Sequence, residues 1–260
     1  MPRIATSLGG VLRTCLHGMS DLLLPESCPA CGSGDVAAEG LCAECNVNLL
    51  SLVALSFCPR CGCTLGPGVP ARDDGCAGCP ATLPRFERVF RLGPYTGCLR
   101  ELVRELKYRR RLGVRRRLSD LLAGRIAAGW PGPAFETVVP VPMHWRRRLE
   151  RGFDHAHAIA SRLAAELKVP LGRELVRTRH TPPQVQLPRT RRVENVRGAF
   201  AVRGASTIRG ANVLLVDDVT TTGATACEAA RTLQAAGAHH IALAVFAKAE
   251  PPTAYAHAMD

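Results

Sequence analysis

Four C-x-x-C pairs constrain this chain more than any other feature: Cys28/Cys31, Cys42/Cys45, Cys58/Cys61 and Cys76/Cys79. Two residues between thiols let one tight turn aim both sulfurs at one ion. Two such turns complete a tetrahedral four-sulfur site with Zn–S bonds of about 2.3 Å. Two of the turns read Cys-Pro-x-Cys-Gly, over residues 28–32 and 58–62. Proline fixes φ early in such a turn, and glycine permits positive φ at its end. Ten residues separate the first two pairs and fourteen the last two, so sequential pairing is expected ahead of a crossed arrangement. Disulfides are one competing reading, but residues 1–24 lack a clean apolar run followed by a small-residue cleavage site, so no secretory signal is expected. Redox-active pairs, the other, usually occur singly beside a βαβ pattern. The reading is two closed structural zinc ions. Cys15, Cys63, Cys98 and Cys227 have no partner pair and read as small buried hydrophobes or solvated thiols.

Residues 25–82 look poor in core material, with Phe57 their only aromatic residue, so metal is expected to supply the folding free energy there. Residues 1–24 read as a short amphipathic helix carrying Leu12, Leu16, Leu22 and Leu23. With 260 residues in all, the organisation expected is 1–24 helix, 25–82 double zinc ribbon and 83–260 a second domain. No run of about 18 uncharged apolar residues occurs, so no membrane span is expected and a cytoplasmic location follows.

From Phe86 onward the texture changes to strands alternating with helices. Strands are expected at Thr137–Val141, Val213–Val216 and Ile241–Phe246, with helices at Asp154–Leu167 and Ala224–Ala236. Asp154 can cap the first helix, and Gly237 is placed to terminate the second. This alternation predicts an α/β fold with a parallel sheet flanked by helices, whose ligands bind beyond the carboxyl ends of the strands.

One strand end is unusual. Val213–Val216 is fully apolar and runs into Asp217-Asp218-Val219-Thr220-Thr221-Thr222-Gly223-Ala224-Thr225. Adjacent carboxylates fit vicinal ribose hydroxyls, each accepting one O–H. The hydroxyl-rich loop opens a helix whose backbone N–H groups can cradle a phosphate, with Gly223 allowing close approach. A ribose 5-phosphate matches both halves. A metal-binding acidic pair beside an ordinary helix cap is the alternative.

This segment resembles the phosphoribosyl-diphosphate (PRPP) motif of type I phosphoribosyltransferases. The whole chain resembles the ComF family, competence-associated proteins with a double zinc ribbon followed by a phosphoribosyltransferase domain. Further matches are Leu106-Lys107-Tyr108, Val139-Pro140-Val141-Pro142, Arg151-Gly152-Phe153, and Gln184 and Leu187 followed by Arg192, Asn195-Val196 and Gly198-Ala199-Phe200. Asp154-His155 departs from the family's common Asn-Gln. The resemblance implies that Asp217 and Asp218 hold ribose hydroxyls and that residues 220–225 hold the 5-phosphate. It places pyrophosphate near Pro142, Met143 and His144, with Arg151 beside them, and makes 179–197 a hood from which Arg192 reaches the diphosphate. Magnesium would accompany PRPP, held largely by the ligand's own oxygens. No acceptor-base pocket or general base is identifiable; His144, His155 and His157 are candidates by location alone. Whether such a protein catalyses transfer is not decided by its fold.

Charge bears on partners. The net charge is +12, and residues 81–200 alone carry 26 basic and 10 acidic groups. Of the 34 basic residues only Lys107, Lys168 and Lys248 are lysine. Arginine forks suit phosphate oxygens. Two clusters stand out, Lys107, Arg109, Arg110, Arg111 and Arg115–Arg117, then Arg146, Arg147, Arg148 and Arg151, with Tyr108, Trp145 and Phe153 between them. The first is expected to sit in a helical stretch, with Leu99, Leu102, Val103 and Leu106 as its buried stripe. Single-stranded DNA is one reading of these clusters; a solvated basic face is the other. The function expected is phosphoribosyl binding coupled to single-stranded DNA and competence proteins. An active phosphoribosyltransferase of nucleotide metabolism or salvage, with an unidentified acceptor, is the alternative, and a ribbon that docks a partner protein is a third.

Overall fold

The computed structural model describes residues 27–37, 40–80, 85–109, 112–144, 153–179, 181, 188 and 191–250. The helix expected within residues 1–24, together with Arg110, Arg111, Arg146–Arg148 and Arg151, lies outside the described residues.

The described part of the second domain is built on a parallel sheet in the order β1 (Arg88–Pro94), β7 (Ile241–Lys248), β5 (Val213–Val216), β2 (Thr137–Pro140), with β6 (Val219–Thr220) extending along β7. Alternation along the strands sends side chains to two apolar layers. Leu214, Val216, Ala242, Ala244 and Phe246 face one core together with α2 (Gly97–Arg109), α3 (Leu112–Gly129) and α4 (His155–Leu167). Val213, Leu215, Ile241, Leu243 and Val245 face the other, under α6 (Ala224–Ala235) and the antiparallel pair β3 (Leu175–Arg177) with β4 (Phe200–Val202). Burial on both faces explains why β5 and β7 read as unbroken apolar runs.

The expected strands and helices are present with small changes of boundary. β2 stops at Pro140, β7 continues to Lys248, and α6 ends at Ala235 with Ala236 as its cap. Asp154 does cap α4, its carboxylate accepting the His157 N–H at 3.1 Å. Beyond α6, Gly237 (φ 97°) donates to the Gln234 carbonyl at 2.9 Å and Ala238 to that of Leu233 at 3.0 Å, a left-handed helix stop. Leu99, Leu102, Val103 and Leu106 are all buried on α2.

Several elements were not expected, and three of them shape the core. β1 is interrupted in sequence by Arg88 and Arg91, yet Arg91 is fully buried, paired with Glu250 at 3.1 Å. α3 buries Val114, Leu118, Leu122 and Ile126 at a spacing of four, a stripe masked in sequence by its arginines and glycines. α1 (Ala43–Ala54) lies inside the zinc-ribbon segment, and Leu41, Leu49 and Leu52 join the same core as α2 and α3. This corrects the expectation that residues 25–82 lack core material: the segment borrows the core of the sheet domain. The approach is close enough that a Cβ on Gly93 of β1 would sit 3.1 Å from the Leu52 carbonyl. No helix among the described residues is long and apolar enough to cross a membrane.

Candidate functional site

The eight ribbon cysteines gather as two sets, Cys28/Cys31/Cys42/Cys45 and Cys58/Cys61/Cys76/Cys79, each with all four sulfurs within 4.8 Å of one another. Pairing is therefore sequential. The sulfurs of Cys31 and Cys42, Cys58 and Cys79, and Cys61 and Cys76 lie 3.7 Å apart. A tetrahedron with Zn–S bonds near 2.3 Å has edges of about 3.8 Å, so the residues fit the ion. The turns form as expected: Gly32 (φ 81°) donates to the Cys28 carbonyl at 2.7 Å, and Gly62 (φ 76°) to that of Cys58 at 2.8 Å. Although burial pushes the Cys28 thiol up, the backbone N–H groups of Cys42, Ala30 and Cys31 bring it down to about 6. At Cys58 burial likewise opposes ionisation and the N–H groups of Cys61 and Arg60 prevail. Cys45 goes the other way, pushed up by burial and then by the neighbouring sulfurs. Four sulfurs this close can all ionise only with a cation between them.

The second site is the loop beyond β5. Asp217 donates its N–H to the Ala244 carbonyl at 3.0 Å, and the Asp218 carbonyl accepts from Phe246 at 3.0 Å, which pins both acids against β7. One Asp217 oxygen accepts the Asp218 N–H at 2.9 Å and one Asp218 oxygen the Val219 N–H at 2.7 Å. Gly223 (φ 79°) turns the chain into α6, a conformation that favours glycine. The N-terminus of α6 then faces a cavity of about 350 Å³ lined by all nine residues 217–225 together with Tyr95, Arg192, Ala226 and Ala249. Among the described residues, only Asp217 and Asp218 are acidic in that lining, and Arg192 is its only cation. Carboxylates, hydroxyls and helix N–H groups thus border one space, the chemistry a sugar phosphate requires.

Of the other predicted positions, Arg192 opens the short helix α5 (Arg192–Val196) and reaches the cavity lining. Pro142, Met143 and His144 follow β2, whose last residue pairs with Val216, so they leave the sheet beside the acidic pair; His144 is buried. His155 is buried against Phe153 in an edge-to-face contact at 5.2 Å, and Asp154 is a helix cap, a role that asparagine fills equally well. Tyr95 was not singled out from sequence. It borders the cavity because β1, itself unrecognised, ends beside β7, and its N–H donates to the Lys248 carbonyl at 2.7 Å.

The basic middle divides. Lys107 and Arg109 lie on α2. Arg116 is exposed, but Arg115 lies over the Phe153 ring at 5.3 Å, and Arg117 donates to Asn46 of α1. Arg125 donates to the Val53 carbonyl and covers the Phe57 ring at 5.2 Å. These last three arginines are structural ties rather than a solvated face, and burial lowers the pKa of each.

Sheet, loop and cysteine sets together define a phosphoribosyltransferase-like domain fused to a double zinc ribbon. The phosphoribosyl transferase domain family matches residues 153–257, and the double zinc ribbon domain family residues 19–83. The chain belongs to the ComF family. It is 32% identical over 206 residues to the DNA utilization protein YhgH of Salmonella typhi, covering 76% of this chain and 86% of that one. The YhgH protein of Escherichia coli K12 is 30% identical, with the same shares covered. Competence protein F of Haemophilus influenzae is 28% identical over 215 residues, 81% of this chain and 91% of its own.

Proposed function

We propose that the chain binds a phosphoribosyl ligand of the PRPP class at residues 217–225 and acts on single-stranded DNA during DNA uptake and utilization. The observation that carries this reading is the single cavity bordered by the Asp217–Asp218 pair, the threonine loop and Arg192. Asp217 and Asp218 would accept the ribose hydroxyls. Thr220–Thr225 would hold the 5-phosphate at the α6 N-terminus, and Arg192, with Arg151 and the Pro142–His144 turn, the diphosphate. The acidic pair also suits magnesium arriving with the ligand, where the ion would offset charge on the departing pyrophosphate. The zinc ions are structural, and the divisions 25–82 and 83–260 serve as working boundaries of the two parts.

The DNA half of the reading is supported by the names of the relatives and by the excess of arginine. Lys107, Arg109–Arg111 and Arg146–Arg148 are the assigned contacts. Titration calorimetry with PRPP and magnesium, followed by pyrophosphate release with and without single-stranded DNA, tests both halves. Binding without release describes a ligand-regulated DNA protein; release identifies an active transferase. Absence of binding to any phosphoribosyl compound removes the reading. DNA affinity should fall with salt at roughly −0.7 per phosphate contact on a log–log plot, and a salt-insensitive constant removes the arginine assignment.

A further inference from the structure

We propose that Lys248, Glu250 and Thr64 form a positioning device that ties the second cysteine site to the phosphate loop and holds that loop in its ligand-ready shape. The inference rests on the phosphoribosyl reading for its purpose, but its geometry stands on its own. β7 runs directly beneath the loop: Thr220 pairs with Lys248, and the Ala249 N–H donates to the Thr220 carbonyl at 2.8 Å. Lys248 is buried, and its ammonium donates to the Thr221 carbonyl. A loop that aims N–H groups at a phosphate turns carbonyls away from it, and a buried carbonyl needs a donor. Lys248 supplies that donor and places a positive charge beneath an anion site.

Two residues further along, the Glu250 side chain is fully buried and grips the ribbon. One oxygen accepts the Thr64 N–H at 2.6 Å and the other the Thr64 hydroxyl at 2.8 Å. Arg91 completes the knot, donating to Glu250 at 3.1 Å and to the Thr64 hydroxyl at 2.7 Å. Thr64 itself cannot move independently of the metal-binding turn. It follows Cys63, whose carbonyl accepts the Cys58 N–H at 2.8 Å, and it bridges to Phe57 on the other side. A rigid path therefore runs from the Cys58–Cys61 turn through Thr64 and Glu250 to the end of β7, and through Lys248 into the loop.

Hydrogen exchange without ligand tests the link, using wild type, Lys248→Met, Thr64→Val and Thr64→Ser. Exchange at residues 219–225 should accelerate about tenfold or more in Lys248→Met and Thr64→Val, while β5 amides keep their protection. Thr64→Ser, which restores the hydroxyl, should recover wild-type exchange. Ribose 5-phosphate titrated against the same proteins should lose about tenfold in affinity in the first two variants and recover in the third. Unchanged loop exchange in Lys248→Met and Thr64→Val overturns the proposal, whatever the ligand result. Wild type that fails to bind ribose 5-phosphate, with the exchange pattern intact, removes the phosphoribosyl reading and leaves the mechanical link standing.

Discussion

The two cysteine sites have the same ligands and open on the same Cys-Pro-x-Cys-Gly turn, yet they are attached to the rest of the molecule by different means. The first is mounted on α1, whose Leu49 and Leu52 sink into the core shared by β1, α2 and α3. Its attachment is mainly apolar, joined by Arg117 on Asn46, Arg125 on the Val53 carbonyl and the Cys98 N–H on Asn48 at 3.1 Å. The second stands on a small cluster of its own, Cys58, Cys61 and Leu65 with Cys63, Cys76 and Cys79 around it. Its attachment is polar: Thr64 on Glu250 and Arg91, the Pro59 carbonyl accepting from Val89 at 2.7 Å, and Arg60 donating to the Glu87 carbonyl at 2.7 Å. Phe57 sits under the guanidinium groups of Arg91 and Arg125 at 5.3 and 5.2 Å. One ligand set can thus serve as part of a domain core or as an appendage gripped at a few points, and the surrounding residues decide which.

Removing metal ligands should expose that difference most strongly. A structural zinc contributes on the order of 10–16 kcal/mol in small domains. Cys28→Ser should therefore lower the unfolding temperature of the whole chain, because α1 is part of the main core. Cys58→Ser should release one zinc ion per chain while the sheet keeps its amide protection. Metal analysis with thermal unfolding measures both, and equal losses in the two variants would break the contrast.

The polar seam comes next. Arg91→Met leaves Glu250 buried beside an apolar group, which should cost about 3–5 kcal/mol in denaturant unfolding. Arg91→Met with Glu250→Leu should recover much of that loss, because burying an unpaired charge is what costs.

Leu49→Ala should cost about 2–5 kcal/mol. Leu65→Ala should fall at or below the lower end, since its small cluster can collapse around the gap. Denaturant midpoints compare the two.

The smallest effect should come from Asp73→Asn. Asp73 pairs with Arg88 across the second site but is 85% exposed, so the change should shift stability by less than about 1 kcal/mol and vanish in high salt. A larger shift would mean that exposed contacts also hold the appendage.

Features confined to short stretches were legible in advance. Each cysteine turn spans a few residues, and the spacing of the thiols carries their chemistry. The run from Val213 to Thr225 likewise contains strand, acids, hydroxyls and helix start in one continuous segment. Among the expected elements, boundaries moved by one or two residues where pairing with a neighbour decided the end, as at Lys248 beside Thr220. Arg115 and Arg117 read as a basic face because their partners, Phe153 and Asn46, are far away in sequence.

The sequence by itself determined the two four-sulfur sites, the parallel α/β domain and the acidic, threonine-rich loop, because in each the interacting groups are neighbours along the chain or share a strict period. Only the tertiary structure decided that the ribbon shares the core of the sheet domain, that Arg91 is neutralised inside it by a carboxylate 159 residues away, and that Tyr95 borders the same cavity as Asp217. Those outcomes depend on contacts between segments distant in sequence. Whether an arginine is solvated or buried, or a leucine exposed or packed, is set by what the folded chain brings opposite it.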